Sequence, residues 1–466
     1  MRRTGMLDRR NFLAAVGAVT GYALRGRPAG AGGDPLVKNP RATDGDERFE
    51  PAWDERLTVR VGAKRGDIVG ATEKAIQAAV DYAAARGGGT VQLLPGTYTL
   101  RNAIYLPSGV RLTGSGPDSV ITKVPSVTTS LAAESDWYDQ EITLKDATGF
   151  QTGDGIVLTA RDPSTKGPIV IKRTLVARSG NRFKLDDGLR KNLWLVGQPK
   201  ASLLFPLLTA ENAADIVIEN LTLDGNGANN ENLNGNYGGC IFLQDCNRIT
   251  IRHVTAHNYN GDGISFQVCH DVVIENCHSH HNRDLGVHPG SGSQRPLIRN
   301  NRLEANRIGL FWCWGVKFGL AEGNRIHDNR DYGISIGHND TDNIMRGNEI
   351  SGSGRVGIVF RDEKRGQDFW PNRNTVEHNR ILNSGDEDGI AVDIRGKTHD
   401  LRIVRNELRE TRGPARRIGI RISAEARNVE LADNTIEGFY KPIADLRATC
   451  RRSPGDRERT GQSGNE

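Results

Sequence analysis

Between residues 241 and 363 the chain repeats one pattern of apolar and polar positions at an almost fixed interval. The segments "GCIFLQDC", "DGISFQVC", "LGVHPGSG", "IGLFWCWG", "YGISIGHN" and "VGIVFRDE" align Ile241, Ile264, Val287, Leu310, Ile334 and Ile358, with steps of 23, 23, 23, 24 and 24 residues. Ile390 and Ile420 extend the column by steps of 32 and 30, one period plus an insertion. Each period holds short β-branched runs such as "DVVIEN", bounded by Gly, Asn and Asp, and none is long enough for a helix. Such runs predict strands separated by tight turns. Self-similarity at this period predicts a solenoid in which each unit stacks only on its neighbours. Three strands in about 23 residues make one rung of a parallel β-helix.

A second column supports this register. Asn301, Asn324, Asn348, Asn379, Asn406 and Asn434 recur in the frame N-x-[IL]. An inward Asn at a stacked turn satisfies backbone groups of its own rung and of the next, which burial would otherwise leave unpaired. With this ladder the chain resembles the right-handed parallel β-helix proteins of the pectate-lyase superfamily, over roughly residues 72–111 and 211–445. Ahead of the rungs, Ile76, Ala79, Val80 and Ala83 lie at helical spacing, and Gly87 to Gly89 end the helix. That helix followed by "GGGTVQLLPGTY" resembles the capping segment of the same superfamily, which shields the apolar end of the first rung. The expected fold is therefore all-β, a single-stranded right-handed parallel β-helix with a capping helix and a small inserted β domain.

The remaining segments follow from charge and rhythm. Residues 1–31 set "RRNFL" before an apolar run and end in "PAGA", which resembles a twin-arginine export signal. They hold six Arg and one Asp, so the net +5 of the whole chain resides there and the mature chain is near neutral. A nucleic-acid footprint needs a basic excess on the folded domain and is not expected. No later apolar run is long enough to span a bilayer, and an exported, periplasmic or extracellular protein is expected. Residues 32–70 read as a linker, 71–111 as cap and first rungs, 112–210 as an inserted β subdomain with hairpin signals, 211–446 as the main solenoid, and 447–466 as a charged, disordered tail. Cys246 and Cys269 share one repeat position and are expected to stack as reduced thiols.

Strand alternation converts the repeat into a surface. Counting from the aliphatic marker, inward positions hold Leu243, Phe266, Pro289, Trp312, Ile336, Phe360, Val392 and Ile422. Outward positions hold Gln244, Gln267, His288, Arg361 and Asp393, and the following turn adds Trp314, His338, Asp340, Asp362, Glu363, Lys364 and Arg395. Asp262, directly before a Gly at its strand entrance, reads as a turn residue. The insertion "EKRGQDFWPN" places Trp370 at the groove edge, where an aromatic face can stack on a sugar ring.

The resemblance implies glycan chemistry: lyase, C5-epimerase or glycoside hydrolase, or a non-catalytic glycan-binding surface protein. Removing a proton next to a carboxylate calls for a base and a cation. His288, His338, Arg361, Asp362, Glu363 and Lys364 are the candidate catalytic residues, and Gln267, Trp314, Asp340, Trp370, Asp393 and Arg395 the candidate substrate contacts. "DLGVHPGSG" loosely resembles the mannuronan epimerase "DPHD" site, but His288 replaces its first Asp, and Gly290 and Ser291 its His and final Asp. Hydrolysis would need paired carboxylates. The expected partner is a polysaccharide and the expected reaction uronate β-elimination; no metal ligands are assigned, and Ca2+ is the one cofactor left open.

Overall fold

The computed structural model describes residues 50–363 and 365–447. The export signal, most of the tail and Lys364 lie outside the described residues. In a typical rung, the strand Asp262–Gln267 is followed by His270–Glu275 and His278–His280, and each pairs in parallel with its counterpart one rung on. An 11-stranded parallel sheet forms one side of the solenoid and a 22-stranded sheet the others. The fold is the all-β parallel solenoid expected. Its helix, Glu73–Ala85, buries Ala75, Ile76, Ala79, Val80 and Ala83 against the first rung.

The interior follows the alternation. The marker residues Ile241, Ile264, Val287, Leu310, Ile334 and Ile358 are fully buried, each such side chain contributing about 1.5–3 kcal/mol. At one turn, the amides of Asn301, Asn324, Asn348, Asn379 and Asn406 each donate to the Asn Oδ1 of the next rung at 2.9–3.0 Å. A second ladder, Asn282, Asn306 and Asn329, runs along another corner; only Asn306 of the three stands in the frame N-x-[IL], so that motif does not mark this column. The reduced thiols stack: Cys246 N–H donates to Cys269 Sγ at 3.4 Å, and both are free.

Two expectations change. Ile358 pairs with Val392, not Ile390, and Val392 pairs with Ile420. The inserted residues of that rung displace the Gly-Ile dipeptide by two, an even slip that keeps Val392 inward and Asp393 outward. Residues 50–70 are not simply a linker: Thr58–Gly62 pairs in parallel with Gly89–Leu93, and Trp53 is buried. The short "TVRVG" alternation was hidden by its polar flanks.

An antiparallel six-stranded sheet lies between Thr128 and Ser202, whereas Ser119–Lys123 still pairs with rung strands. Tyr259 Oη donates to the Phe205 carbonyl and Lys123 Nζ to Asn260 Oδ1 at 2.7 Å, tying both ends of the insertion to one rung. Leu233, from the Asn- and Gly-rich loop, packs with Val157 and Leu204 of the insertion.

Candidate functional site

The outward face of the 11-stranded sheet carries the site. One column runs Phe242, Ser265, His288, Phe311, Ser335, Val359, Asp393 and Arg421, a residue per rung. Rungs are about 4.8 Å apart, so side chains on neighbouring rungs touch.

At His288 the column leaves bland polarity. Nδ1 lies 2.8 Å from Asp262 Oδ2 and 3.3 Å from Ser265 Oγ. Asp262 also accepts the Leu285 amide at 3.1 Å, and burial raises its carboxyl above the usual range while the hydrogen bond from His288 opposes this. Nε2 is buried with no partner. The loop above closes the dyad, since Ser265 Oγ donates to the Gly235 carbonyl at 2.6 Å and a Cβ at Gly235 would collide with the Asp262 carboxylate. Asp262 is thus a site residue that its ordinary turn position concealed.

Phe311 links this dyad to Arg361. The His288 ring meets it edge-on at 5.3 Å, and the Arg361 guanidinium lies over it at 4.4 Å. Arg361 Nη1 donates to Ser335 Oγ at 2.7 Å and Nη2 to the Trp312 carbonyl at 3.2 Å. Glu363 stands 3.4 Å from its Nε. Gly337 makes room, because a Cβ there would enter the guanidinium. Phe311 and Ser335 were not singled out from the sequence: the column also holds Phe242 and Val359, so a further Phe in it gave no signal.

His338 forms the next group. Its ring stacks at a tilt on Trp314 at 4.6 Å and meets Phe369 edge-on at 4.9 Å. Glu363 is 3.8 Å from its Nδ1. Burial, and then the positive Arg365, hold its pKa below the ordinary value against the pull of Glu363. Arg365 covers the Trp314 ring at 4.3 Å and pairs with Glu363 at 2.7 Å. Trp314 is 46% exposed and Phe369 37%, so these two rings form the open side of the cluster. Trp370 donates to Asp362 at 3.0 Å, with Lys397 5.6 Å from its ring.

Other expected residues lie elsewhere. Asp340 does not face out: it is fully buried and accepts the amides of Gly315, Val316 and Gly337 at 2.8–2.9 Å, so it closes the turns that carry Trp314 and His338. Burial pushes its carboxyl up to about 6. Asp393 is likewise buried, held by Arg395 and Arg421 at 2.6 Å; it sits one rung past Arg361 and pairs away from it. Gln267 is buried beside Ser265, with Oε1 unpartnered. Residues 277–282, "CHSHHN", form a histidine-rich segment whose spacing is a candidate for metal ligation, but its side chains do not converge on one point. Instead His278 and His327 share the Glu304 carboxylate, and no three His, Cys, Asp or Glu side chains among the described residues stand as metal ligands. No helix among them is long and apolar enough to cross a membrane.

A right-handed solenoid with a polar cluster on one sheet face is the class this architecture defines. The model of the right handed beta helix region matches residues 208–366 and 318–444, together just over half of the chain. The chain belongs to this right-handed β-helix family. A search of curated proteins finds no match. Among solved structures, the chain is similar to the A-module of the Azotobacter vinelandii mannuronan C-5 epimerase AlgE4, at 17% identity and TM-score 0.50, covering 83% of this chain and 99% of that one. The AlgE6 A-module of the same organism is similar at 17% identity and TM-score 0.49, covering 80% and 93%. A glycoside hydrolase is similar at 10% identity and TM-score 0.49, covering 81% and 96%. At these identities the likeness is one of fold.

Proposed function

We propose that this protein acts on an acidic polysaccharide, removing the proton next to a uronate carboxylate and cleaving the chain by β-elimination. One observation carries the reading: Asp262 holds His288 by Nδ1 and leaves Nε2 unpartnered, on the same face as the fixed Arg361 guanidinium. A proton on Nδ1, donated to Asp262, leaves the Nε2 lone pair as a base. Arg361 offers paired N–H groups to the substrate carboxylate and stabilises the negative charge that develops there. The base takes the proton on C5, the freed electron pair becomes the C4–C5 double bond, and the glycosidic oxygen leaves C4 with a proton. The leaving oxygen takes its proton from the now protonated His288 Nε2; His338, its pKa depressed, is neutral at pH 7 and serves as a hydrogen-bonding contact, while Trp314 and Trp370 offer faces for sugar rings. Candidates confined to one sheet face fit elimination, in which one side of the sugar is served; epimerisation needs a proton returned to the other.

A second reading, a glycan-binding protein without turnover, is favoured by one fact: His288 and His338 are each only 4% exposed, whereas Trp314 is open. The two are separated by incubating the protein with a panel of polyuronates, mannuronan first, with and without Ca2+. Ultraviolet absorbance from unsaturated uronate together with new reducing ends is expected. Reducing ends alone would move the reaction to hydrolysis by Asp362 and Glu363; binding with neither signal would favour the binder. Export through the residues 1–31 is proposed alongside, and is tested by the N-terminal sequence of protein recovered outside the cytoplasm.

A further inference from the structure

We propose that the cavity between the antiparallel insertion and the first rungs is a second glycan site, which binds a carboxylate-bearing sugar of the chain processed farther along the sheet. The proposal rests on the polyuronate reading above and adds to it a place where the polymer is gripped away from the reacting bond. The cavity encloses about 520 Å³, within the range of small-molecule sites.

Three observations support it. The cavity is built rather than left over: Lys172 of the insertion pairs with Glu211 at 2.7 Å and lies 4.3 Å from the Phe242 ring, and the Leu233 contacts hold the same two parts together. Its walls have the chemistry of sugar recognition. Tyr105, 43% exposed, and Tyr237 supply ring faces, while charged groups between them supply donors and acceptors for hydroxyls. Among the charges, Lys172 pairs with Glu211, Arg173 and Arg190 share Asp187, and Asp186 accepts the Thr174 amide; Lys191 and Asp186 have no ion pair among the described residues, and the Lys191 ammonium faces the Trp137 ring at 5.8 Å. The wall carries four cations, Lys172, Arg173, Arg190 and Lys191, against three carboxylates, Asp186, Asp187 and Glu211, and this positive excess favours a carboxylated sugar over a neutral one. Position completes the argument. Gln244 at the cavity edge pairs with Gln267 one rung on, and Gln267 with Gly290 on the strand of His288. The cavity edge therefore stands two rungs, about 10 Å, from that strand. A polymer lying along the sheet reaches both, and a short oligomer reaches one.

The test uses the full chain and mannuronan, as long polymer and as trimer, with a neutral glucan as control. Lys191→Ala and Tyr237→Ala are expected to weaken polymer binding about tenfold in calorimetry with trimer turnover unchanged, and Lys191→Ala, which lies outside the Leu233 cluster, to leave the unfolding temperature unchanged as well. Measuring the same loss in an Arg361→Ala background, which reads binding without turnover, supports the cavity even where no cleavage is found, so its fate is separable from that of the elimination reading. Unchanged polymer affinity in both variants overturns the proposal. Equal loss on the trimer overturns its separateness from the reacting site, and equal loss for the neutral glucan overturns the carboxylate assignment.

Discussion

The asparagine corner and the outward sheet face are made from the same repeat, yet they treat buried polar groups in opposite ways. At the corner, Asn348 donates its amide to Asn379, receives the amide of Asn324, and donates its side chain to the Ala321 carbonyl. Each rung supplies what the next one lacks, so nothing buried is left unpaired. On the sheet face, His288 Nε2, His338 Nδ1 and Gln267 Oε1 are buried without partners. Buried polar atoms are normally satisfied, and a repeat has a ready way to satisfy them. Where it does not, stability has been given up for something other than folding.

Breaking each region should therefore give different readouts. The largest effect is expected from Arg361→Ala, which removes the cation aimed at the substrate carboxylate: turnover per folded molecule falls about 10²–10³-fold, beside a loss of stability because Ser335, the Trp312 carbonyl and Glu363 each lose a partner. Asp262→Asn, which disturbs the tautomer of His288, is expected to cost about 10²-fold in turnover; comparing its pH–rate profile with that of the parent distinguishes this from lost packing. Asn348→Ala should do the reverse. Leaving the buried Asn324 amide unpaired costs roughly 3 kcal/mol, read by chemical denaturation, while turnover per folded molecule is retained.

Asp340 sharpens the contrast because it lies in the site but behaves like the corner. Its folded pKa of about 6 exceeds its ordinary 3.8, so the folded state holds the proton that the unfolded state has released. Stability is thus highest below about pH 4 with respect to this group and falls by roughly 3 kcal/mol as pH rises to about 6. Denaturation of Asp340→Asn across that range should show the slope abolished; an unchanged slope would assign the titration to another group. The smallest effect is expected at Trp314, whose truncation to Ala removes an exposed sugar platform and raises KM by about fivefold with kcat unaltered.

How much of this was legible in the chain depended on repetition. The marker column and the N-x-[IL] column recur often enough to specify the solenoid, its inward face and one ladder from the chain alone. Non-repeating features were harder. His288, His338 and Arg361 stood out by residue type, but Asp262 did not, because an Asp before Gly at a strand entrance is common and only the cross-rung contact gives it a role. Asp393 was placed outward by counting and Asp340 in the turn that follows, and both are buried, Asp393 under Arg395 and Arg421 and Asp340 beneath the turn amides it accepts. The insertion at Thr128–Ser202 carries no rung period, so the cavity it encloses with the first rungs was not visible in any alignment of repeats.

The central claim is that this face removes the proton beside a uronate carboxylate. It is tested most directly by following release of the label from C5-deuterated mannuronan into water, with the parent protein and with Arg361→Ala. The account predicts release by the parent, whether the product is cleaved or epimerised, and its loss in Arg361→Ala with binding retained. Tight binding by the parent with no release of label would contradict it.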